Sequence, residues 1–233
     1  MIVILGAMDT EIAEFLSVME GRETAQWQGI EEHRGMLDGH PVLVSKTGVG
    51  KVMAAMRAQH FIDRVGPKAL LFTGLAGSLK RDIRIGDTVL GRDLVQHDLE
   101  SAALGVPRGQ IPFSDIRFVE PDAQLLDIAA RYQPAEGRLH LGRICTGDQF
   151  ITHRELASHA HLHDELDGDA VEMEGAAVAL VCSLNGLPFL VARTISDMAD
   201  GDAVADYEQI LPRASLNSLA FVRHMLAGLA ARA

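Results

Sequence analysis

The sequence predicts an α/β layer fold, and three observations carry that expectation. Short apolar, β-branched runs bounded by glycine alternate with longer segments of helical period along the 233 residues. Near the C-terminus Leu216, Leu219, Val222, Leu226 and Leu229 recur at spacings of three and four, which gives a helix one apolar stripe to lay on a sheet. Hydrophobic residues make up 48% and charged residues 23%, an ordinary globular balance. The length fits a single domain spanning residues 1–233, and no repeat, low-complexity tract or long linker divides it.

Taken in order, residues 2–5 read as a buried first strand. The run lacks the basic leader of a signal peptide and meets Asp9 and Glu11 almost at once. A helix follows over 10–19, then a hairpin-like pair of strands at 33–37 and 41–45, then a helix over 50–64. Further strands are expected at 69–72, 87–95, 142–146 and 188–194. Helices are expected over 121–131 and 174–184, and from about residue 211 onward.

Charge and cysteine usage exclude several classes. A formal net charge of −11 with no cluster of Lys and Arg disfavours nucleic acid, whose phosphates demand concentrated positive charge. No apolar stretch reaches the roughly 18 residues of a membrane span. Cys145 and Cys182 are far apart and form no Cys-x-x-Cys pair, so neither a disulfide framework nor a thiolate zinc site is expected, and a reducing cytoplasm is. A small-molecule partner fits best.

In open α/β sheets ligands sit where strands stop, and four such places carry unusual residues. The first strand runs through Gly6-Ala7-Met8 into a helix whose first turn holds Asp9 and Glu11; position alone does not separate a functional acid from one that complements the helix dipole. The segment Thr73-Gly74-Leu75-Ala76-Gly77-Ser78 reads as a loop whose glycines either admit a ligand or make a tight turn. Lacking a Lys, it is no Walker loop. Glu172-Met173-Glu174 precedes a helix entered through Gly175-Ala176-Ala177. A carboxylate there can accept from both hydroxyls of a ribose diol, or can simply compensate the dipole. Finally, Arg193 interrupts an apolar strand that ends in Ser196-Asp197, and a buried charge of that kind needs one of the acids as partner.

Seven segments in one order and spacing give a specific signal: Gly6-Ala7-Met8-x-x-Glu11, Thr47-Gly48-Val49-Gly50-Lys51, Thr73-Gly74-x-Ala76-Gly77, Ile85-Gly86-Asp87, Thr146-Gly147-Asp148-x-Phe150-Ile151, Val171-Glu172-Met173-Glu174 and Ile195-Ser196-Asp197. Together they make the chain resemble, nearly end to end, the bacterial 5′-methylthioadenosine/S-adenosylhomocysteine nucleosidases of the purine nucleoside phosphorylase superfamily. The resemblance implies a three-layer αβα sandwich with a central mixed β-sheet flanked by helices, no cofactor and no metal. It implies that Glu11 activates the attacking water with help from Arg193, that Glu174 holds the ribose diol, and that Met173 lies beneath the sugar. Adenine would lie against Phe150, with the backbone around Ile151 reading its edge. Asp197, supported by Ser196, would protonate N7, and Met8, Val49, Leu75 and Glu172 would complete the substrate site. It also implies a homodimer, with Leu104 and Pro112 reaching the partner's 5′ pocket. Two positions depart from the pattern: Leu75 stands where many relatives carry Ser, and Leu104 where an aromatic is common. Both leave the 5′ substituent open among methylthioadenosine, S-adenosylhomocysteine, 5′-deoxyadenosine and aminodeoxyfutalosine.

The chemistry suits these residue types. Breaking a ribosyl bond builds oxocarbenium character on the sugar and negative charge on the base, so one acid must protonate the leaving group while another activates water. Acids at positions 9 and 11 would repel a phosphate nucleophile, which favours hydrolysis over phosphorolysis, although Arg193 keeps the latter open. Three carboxylates exceed what a non-catalytic nucleoside-binding protein requires. A dense group, His153, His159, His161 and His163, invites a metal reading, but a solvated loop or helix explains it as well. The acidic, small-residue segment 200–207 is a candidate lid.

Overall fold

The computed structural model describes residues 1–151, 157–198 and 203–231, with the side chains of residues 157 and 203–209 left aside. Nine strands are seen: β1 Ile2–Gly6, β2 Glu20–Trp27, β3 Ile30–Leu37, β4 His40–Lys46, β5 Ala69–Ser78, β6 Thr88–Gln96, β7 Leu139–Thr146, β8 Ala170–Glu172 and β9 Phe189–Asp197. The helices are α1 Asp9–Val18, α2 Lys51–Val65, α3 Ala123–Ala129, α4 His161–Asp164, α5 Gly175–Leu184 and α6 Ala203–Ala230.

All nine strands join one mixed sheet in the order β2-β3-β4-β1-β5-β8-β7-β6-β9, and β9 also pairs with β5, so the second half of the sheet closes on itself. Parallel pairing joins β1 to β4 and β5, and β5 to β9. Antiparallel pairing joins β2–β3–β4, β5–β8 and β6–β9. The β3–β4 hairpin turns at Asp38-Gly39, both in the left-handed region at φ 48° and 78°, as a tight hairpin turn demands.

Alternation along the strands sorts their side chains into two layers. Val3, Leu5, Leu70, Phe72 and Val191 meet Ala54, Ala58 and Phe61 of α2 and Val178, Ala179 and Cys182 of α5. Ile4, Leu71, Leu190 and Ala192 turn the other way, onto Ile12 and Phe15 of α1, Leu125 and Ile128 of α3, and Leu219, Val222 and Leu226 of α6. Helices on both faces of a mixed sheet make the expected αβα arrangement.

Several expectations need correction. The segment 73–78 is no loop: β5 runs on through it because β9 pairs with it as far as Gly77 and β8 meets it at Gly77 and Ser78. β2 and β8 were not foreseen; β2 is polar and almost wholly exposed, and β8 has only three residues. α6 begins at Ala203 rather than near residue 211 and continues through Pro212, whose missing N–H removes only one helical bond. Leu216 is 53% exposed and leaves the expected stripe, which runs instead through Leu219, Phe221, Val222, Met225 and Leu226. In the candidate lid, residues 200–202 lie outside the described residues, while 203–207 belong to the first turns of α6. His153 likewise lies outside the described residues.

The orientation of α6 is open to direct test. Leu226→Ala empties a fully buried site and should cost about 2–5 kcal/mol in urea unfolding, whereas Leu216→Ala should change stability by less than about 0.5 kcal/mol. Equal effects at the two positions would contradict the assigned face.

Candidate active site

A cavity of ≈ 350 Å³ opens where β1, β5, β8 and β9 end. Its wall includes Ala7, Met8, Glu11, Val49, Leu75, Gln149, Phe150, Ile151, Glu172, Met173, Glu174, Ser196 and Asp197. Eleven of the twelve positions expected to form the site, with Leu104 and Pro112 set apart, therefore line one cavity, and the twelfth, Arg193, stands directly behind it.

Glu11 is the third residue of α1, and its carboxylate turns back on the chain that leads into the helix. Oε2 accepts from the backbone N–H groups of Ala7 and, at 3.1 Å, of Met8, while Oε1 accepts from Leu75 N–H of β5 at 3.0 Å. The turn thus draws Glu11 into the cavity, while Asp9 stays exposed and pairs with Lys46 at 2.5 Å. Burial pushes the Glu11 carboxyl above its ordinary 4.5, against the opposing pull of Arg193 and the three N–H donors.

Arg193 is 1% exposed and makes its ion pair with Glu172, Nη2 to Oε2 at 2.7 Å and Nε to Oε2 at 3.2 Å. Its guanidinium stacks 4.1 Å from the Phe72 ring, and Nη1 has no hydrogen-bond partner among the described residues. Glu172 is committed to the protein on both oxygens. Oε1 accepts from the Thr146 hydroxyl, and Oε2 accepts from the backbone N–H groups of Glu174 and Gly175 that open α5. Among the described residues Glu174 accepts a single bond, from Gly50 N–H at 2.8 Å, and so retains acceptor capacity toward the cavity that it lines. Burial and then the Glu172 carboxylate push the Glu174 carboxyl upward, with Arg193 and the Gly50 N–H pulling back.

Asp197 ends β9 and is 2% exposed, accepting from the Ser196 hydroxyl at 2.8 Å. The two glycines of β5 explain how these acids come so close to a strand. A Cβ on Gly74 would stand 2.7 Å from Glu11 Oε1 and 3.1 Å from Arg193 Nη1; one on Gly77 would stand 2.9 Å from Asp197 Oδ1. The glycines therefore admit carboxylates, not a turn.

Phe150 is 46% exposed at the cavity wall and Ile151 is buried beside it. Leu75 packs with Met8 against Ile210 and Ala214 of α6 and so gives the cavity an apolar wall. Leu104, on a 3₁₀ turn, and Pro112 do not line this cavity; Leu104 is exposed, as is the neighbouring Phe113. His159 and His161 lie in short helical turns rather than on a strand; His161 stacks on His97 while His159 meets it edge-on, and His97 Nδ1 lies 3.1 Å from His161 Nε2. Among the described residues no group of three or more His, Cys, Asp or Glu side chains is arranged to hold a metal ion. Gln149 and the roles of Thr146 and Asp148 were not foreseen; Thr146 and Asp148 flank Gly147 in a motif already singled out, with Gln149 next in line, but Glu172 and Lys51, the partners of Thr146 and Asp148, are distant in the chain.

A mixed αβα fold with four acids gathered at strand ends is the setting of a family of nucleoside-cleaving enzymes. Residues 1–227 match the family model described as the phosphorylase superfamily, and the chain belongs to that family. It is 34% identical over 225 residues to the 5′-methylthioadenosine/S-adenosylhomocysteine nucleosidase of Tolumonas auensis, covering 96% of this chain and 97% of that one. The nucleosidase of that name from Colwellia psychrerythraea, solved in complex with adenine, superposes with a TM-score of 0.91 at 32% identity, covering 98% and 95% of the two chains. Futalosine hydrolase of Helicobacter pylori gives 0.88 at 34% identity, covering 97% of each.

The raised Glu174 carboxyl makes a stability prediction. An acid whose folded pKa lies above its ordinary 4.5 favours the fold most below that value, and the benefit is lost as pH rises through the folded pKa. Glu174→Gln keeps the oxygen that meets Gly50 N–H and removes the charge, so at pH 8 its Tm should exceed that of the unaltered protein by about 2–4 °C, about 1 kcal/mol. At pH 4 the gain should vanish. A lower Tm at pH 8 would show that the carboxylate is comfortably ionised in the fold.

Proposed function

We propose that this protein is a nucleosidase that hydrolyses the N-glycosidic bond of 5′-methylthioadenosine or S-adenosylhomocysteine, releasing adenine and the 5-thioribose sugar. The observation that carries the reading is the charge of the cavity. Four carboxylates, of Glu11, Glu172, Glu174 and Asp197, line it, and no Lys or Arg does so among the described residues. Arg193 stands behind them and is engaged by Glu172. A phosphorylase must hold a phosphate dianion beside C1′, and a wall of acids repels one. The same wall favours a cationic sugar and a neutral nucleophile.

In this mechanism adenine lies against Phe150, with Ile151 at its edge. Glu174 accepts from the ribose hydroxyls, Met173 lies beneath the sugar, and Met8, Val49 and Leu75 border it. The C1′–N9 bond breaks as Asp197, oriented by the Ser196 hydroxyl, gives its proton to N7 and neutralises the leaving base. Glu11 takes a proton from water as the water oxygen bonds to C1′, and its negative charge stabilises the oxocarbenium ion meanwhile. Its upward-shifted pKa makes it a stronger base than an exposed glutamate, at the cost of needing a higher pH to ionise. Glu172 positions the site from behind, by holding Arg193 and the start of α5.

For the 5′ substituent the relatives are the guide. The relatives' names favour a thioether, and the futalosine hydrolase likeness adds aminodeoxyfutalosine, with 5′-deoxyadenosine a further candidate. We place the working form as a homodimer in which Leu104 and Pro112 approach the partner's 5′ pocket. Two large apolar side chains left exposed in the 102–113 segment, Leu104 and Phe113, support it. The chain is read as one domain, supported by a sheet that draws strands from both ends. A cytoplasmic location is supported by two buried free thiols, and no helix among the described residues is long and apolar enough to cross a membrane.

Incubation with methylthioadenosine, S-adenosylhomocysteine, adenosine and inosine, with and without phosphate, tests the proposal. Adenine should be released from the thioether nucleosides at a rate independent of phosphate; strict phosphate dependence would overturn hydrolysis. Asp197→Asn and Glu11→Gln should each lose on the order of 10²–10⁴-fold in turnover while remaining folded. The acid limb of kcat/KM should fall as Glu11 is protonated, with its midpoint above 4.5; a limb centred at or below that value would remove Glu11 from the role of base.

A further inference from the structure

We infer that Lys51 is a positioning residue which, through Asp98 and Asp148, locks the base-contacting loop and the ribose acid onto the same helix end. The inference rests on the nucleosidase reading and extends it to three charged residues, none of which lines the cavity.

α2 begins at Lys51 with no side-chain cap of its own and no acid in its first turn, so its leading N–H groups need acceptors from elsewhere. Two carboxylates from distant parts of the chain supply them. Asp148 Oδ1, two residues before Phe150, accepts from Lys51 N–H at 2.8 Å. Glu174 Oε1 accepts from Gly50 N–H at 2.8 Å. The end of one helix thereby sets both the loop that meets the base and the acid that meets the sugar. Gly50 is required at the junction: its φ is +94°, and a Cβ would stand 3.2 Å from Asp148 Oδ1.

The Lys51 side chain completes the lock. Its Nζ lies 2.5 Å from Asp98 Oδ1 and 3.7 Å from Asp148 Oδ2, and Asp98 Oδ2 in turn accepts from Asp148 N–H at 3.0 Å. The ammonium group and two acids form a closed triangle joining α2, the loop after β6 and the loop after β7. Lys51 is largely covered, which limits screening by solvent. Burial acts to raise the Asp98 carboxyl, but the Lys51 hydrogen bond and the Asp148 N–H prevail and hold it below its ordinary value. A surface ion pair is worth little, but this one joins a helix end to two loops at once. Its effect belongs to geometry: a shift of the Phe150 loop by a fraction of an ångström misplaces the leaving base relative to Asp197.

Calorimetric titration with free adenine, the proposed product, tests the inference alongside thermal melting. Lys51→Met and Asp98→Asn should each weaken adenine binding by about tenfold while Tm stays within a few degrees, and Lys51→Arg should restore binding to within about threefold. Adenine binding by Lys51→Met and Asp98→Asn within twofold of the unaltered protein would overturn the lock. So would loss of binding in step with loss of Tm in all three variants, Lys51→Arg included, since that pattern is general destabilisation. If the unaltered protein binds no adenine, the nucleosidase reading fails first and the inference falls with it.

Discussion

The site depends on a shortage of positive charge. Glu11, Glu172, Glu174 and Asp197 are all buried at the cavity, and among the described residues the one cation buried with them is Arg193. A guanidinium can offset one carboxylate well, and here its ion pair is given to Glu172. The remaining acids must be satisfied by backbone N–H groups and hydroxyls, or must keep a proton. Glu11 and Glu174 are both displaced toward protonation by their burial. Such crowding costs stability, and in a protein whose net stability is of order 10 kcal/mol it persists because the reaction needs groups that exchange protons near neutral pH.

The sheet makes that crowding sterically possible. β5 lies at the centre, bonded to β1 on one side and β9 on the other, and it would normally present side chains wherever Glu11, Arg193 and Asp197 now stand. Gly74 and Gly77 clear the two positions where carboxylates approach the strand most closely. Helix ends then distribute the acids: α1 directs Glu11 back toward Ala7 and Met8, α5 is opened by Glu172, and α2 takes Glu174 and Asp148. Each acid is thereby fixed by rigid elements, which is the condition for electrostatic stabilisation without reorganisation during reaction.

Much of this was legible in the sequence because it is written in periodicity. Near-continuous apolar runs in β1 and β9 announce a sheet covered on both faces, and Glu11, Glu174, Arg193 and Asp197 stand out as charges in or beside such runs. What escaped was long-range. Thr73–Ser78 resembles a turn locally, and only its pairing to β8 and β9 makes it a strand. β2 carries no apolar alternation because it is an exposed sheet edge, and α6 starts early because one proline does not outweigh the packing of Ile210 and Ala214 on Leu75. The pairing of Arg193 with Glu172 rather than another acid, and the capping of α2 by Asp148, join residues 21 and 97 positions apart. No local pattern encodes such partners. The resemblance to nucleosidases placed the acids in roles, Glu174 on the ribose diol among them, and the bonds that occupy both Glu172 oxygens give the physical reason for that choice.

Two glutamates in this cavity, Glu11 and Glu174, hold their protons more tightly than an exposed glutamate does. Carbon-13 NMR of protein labelled at the glutamate side-chain carboxyl carbon, with the two signals assigned from Glu11→Gln and Glu174→Gln, reads each titration directly. Both midpoints should lie above the ordinary 4.5. Midpoints at or below it would mean that the carboxylates are ionised at ease in the fold, and the shortage of positive charge would not govern the site.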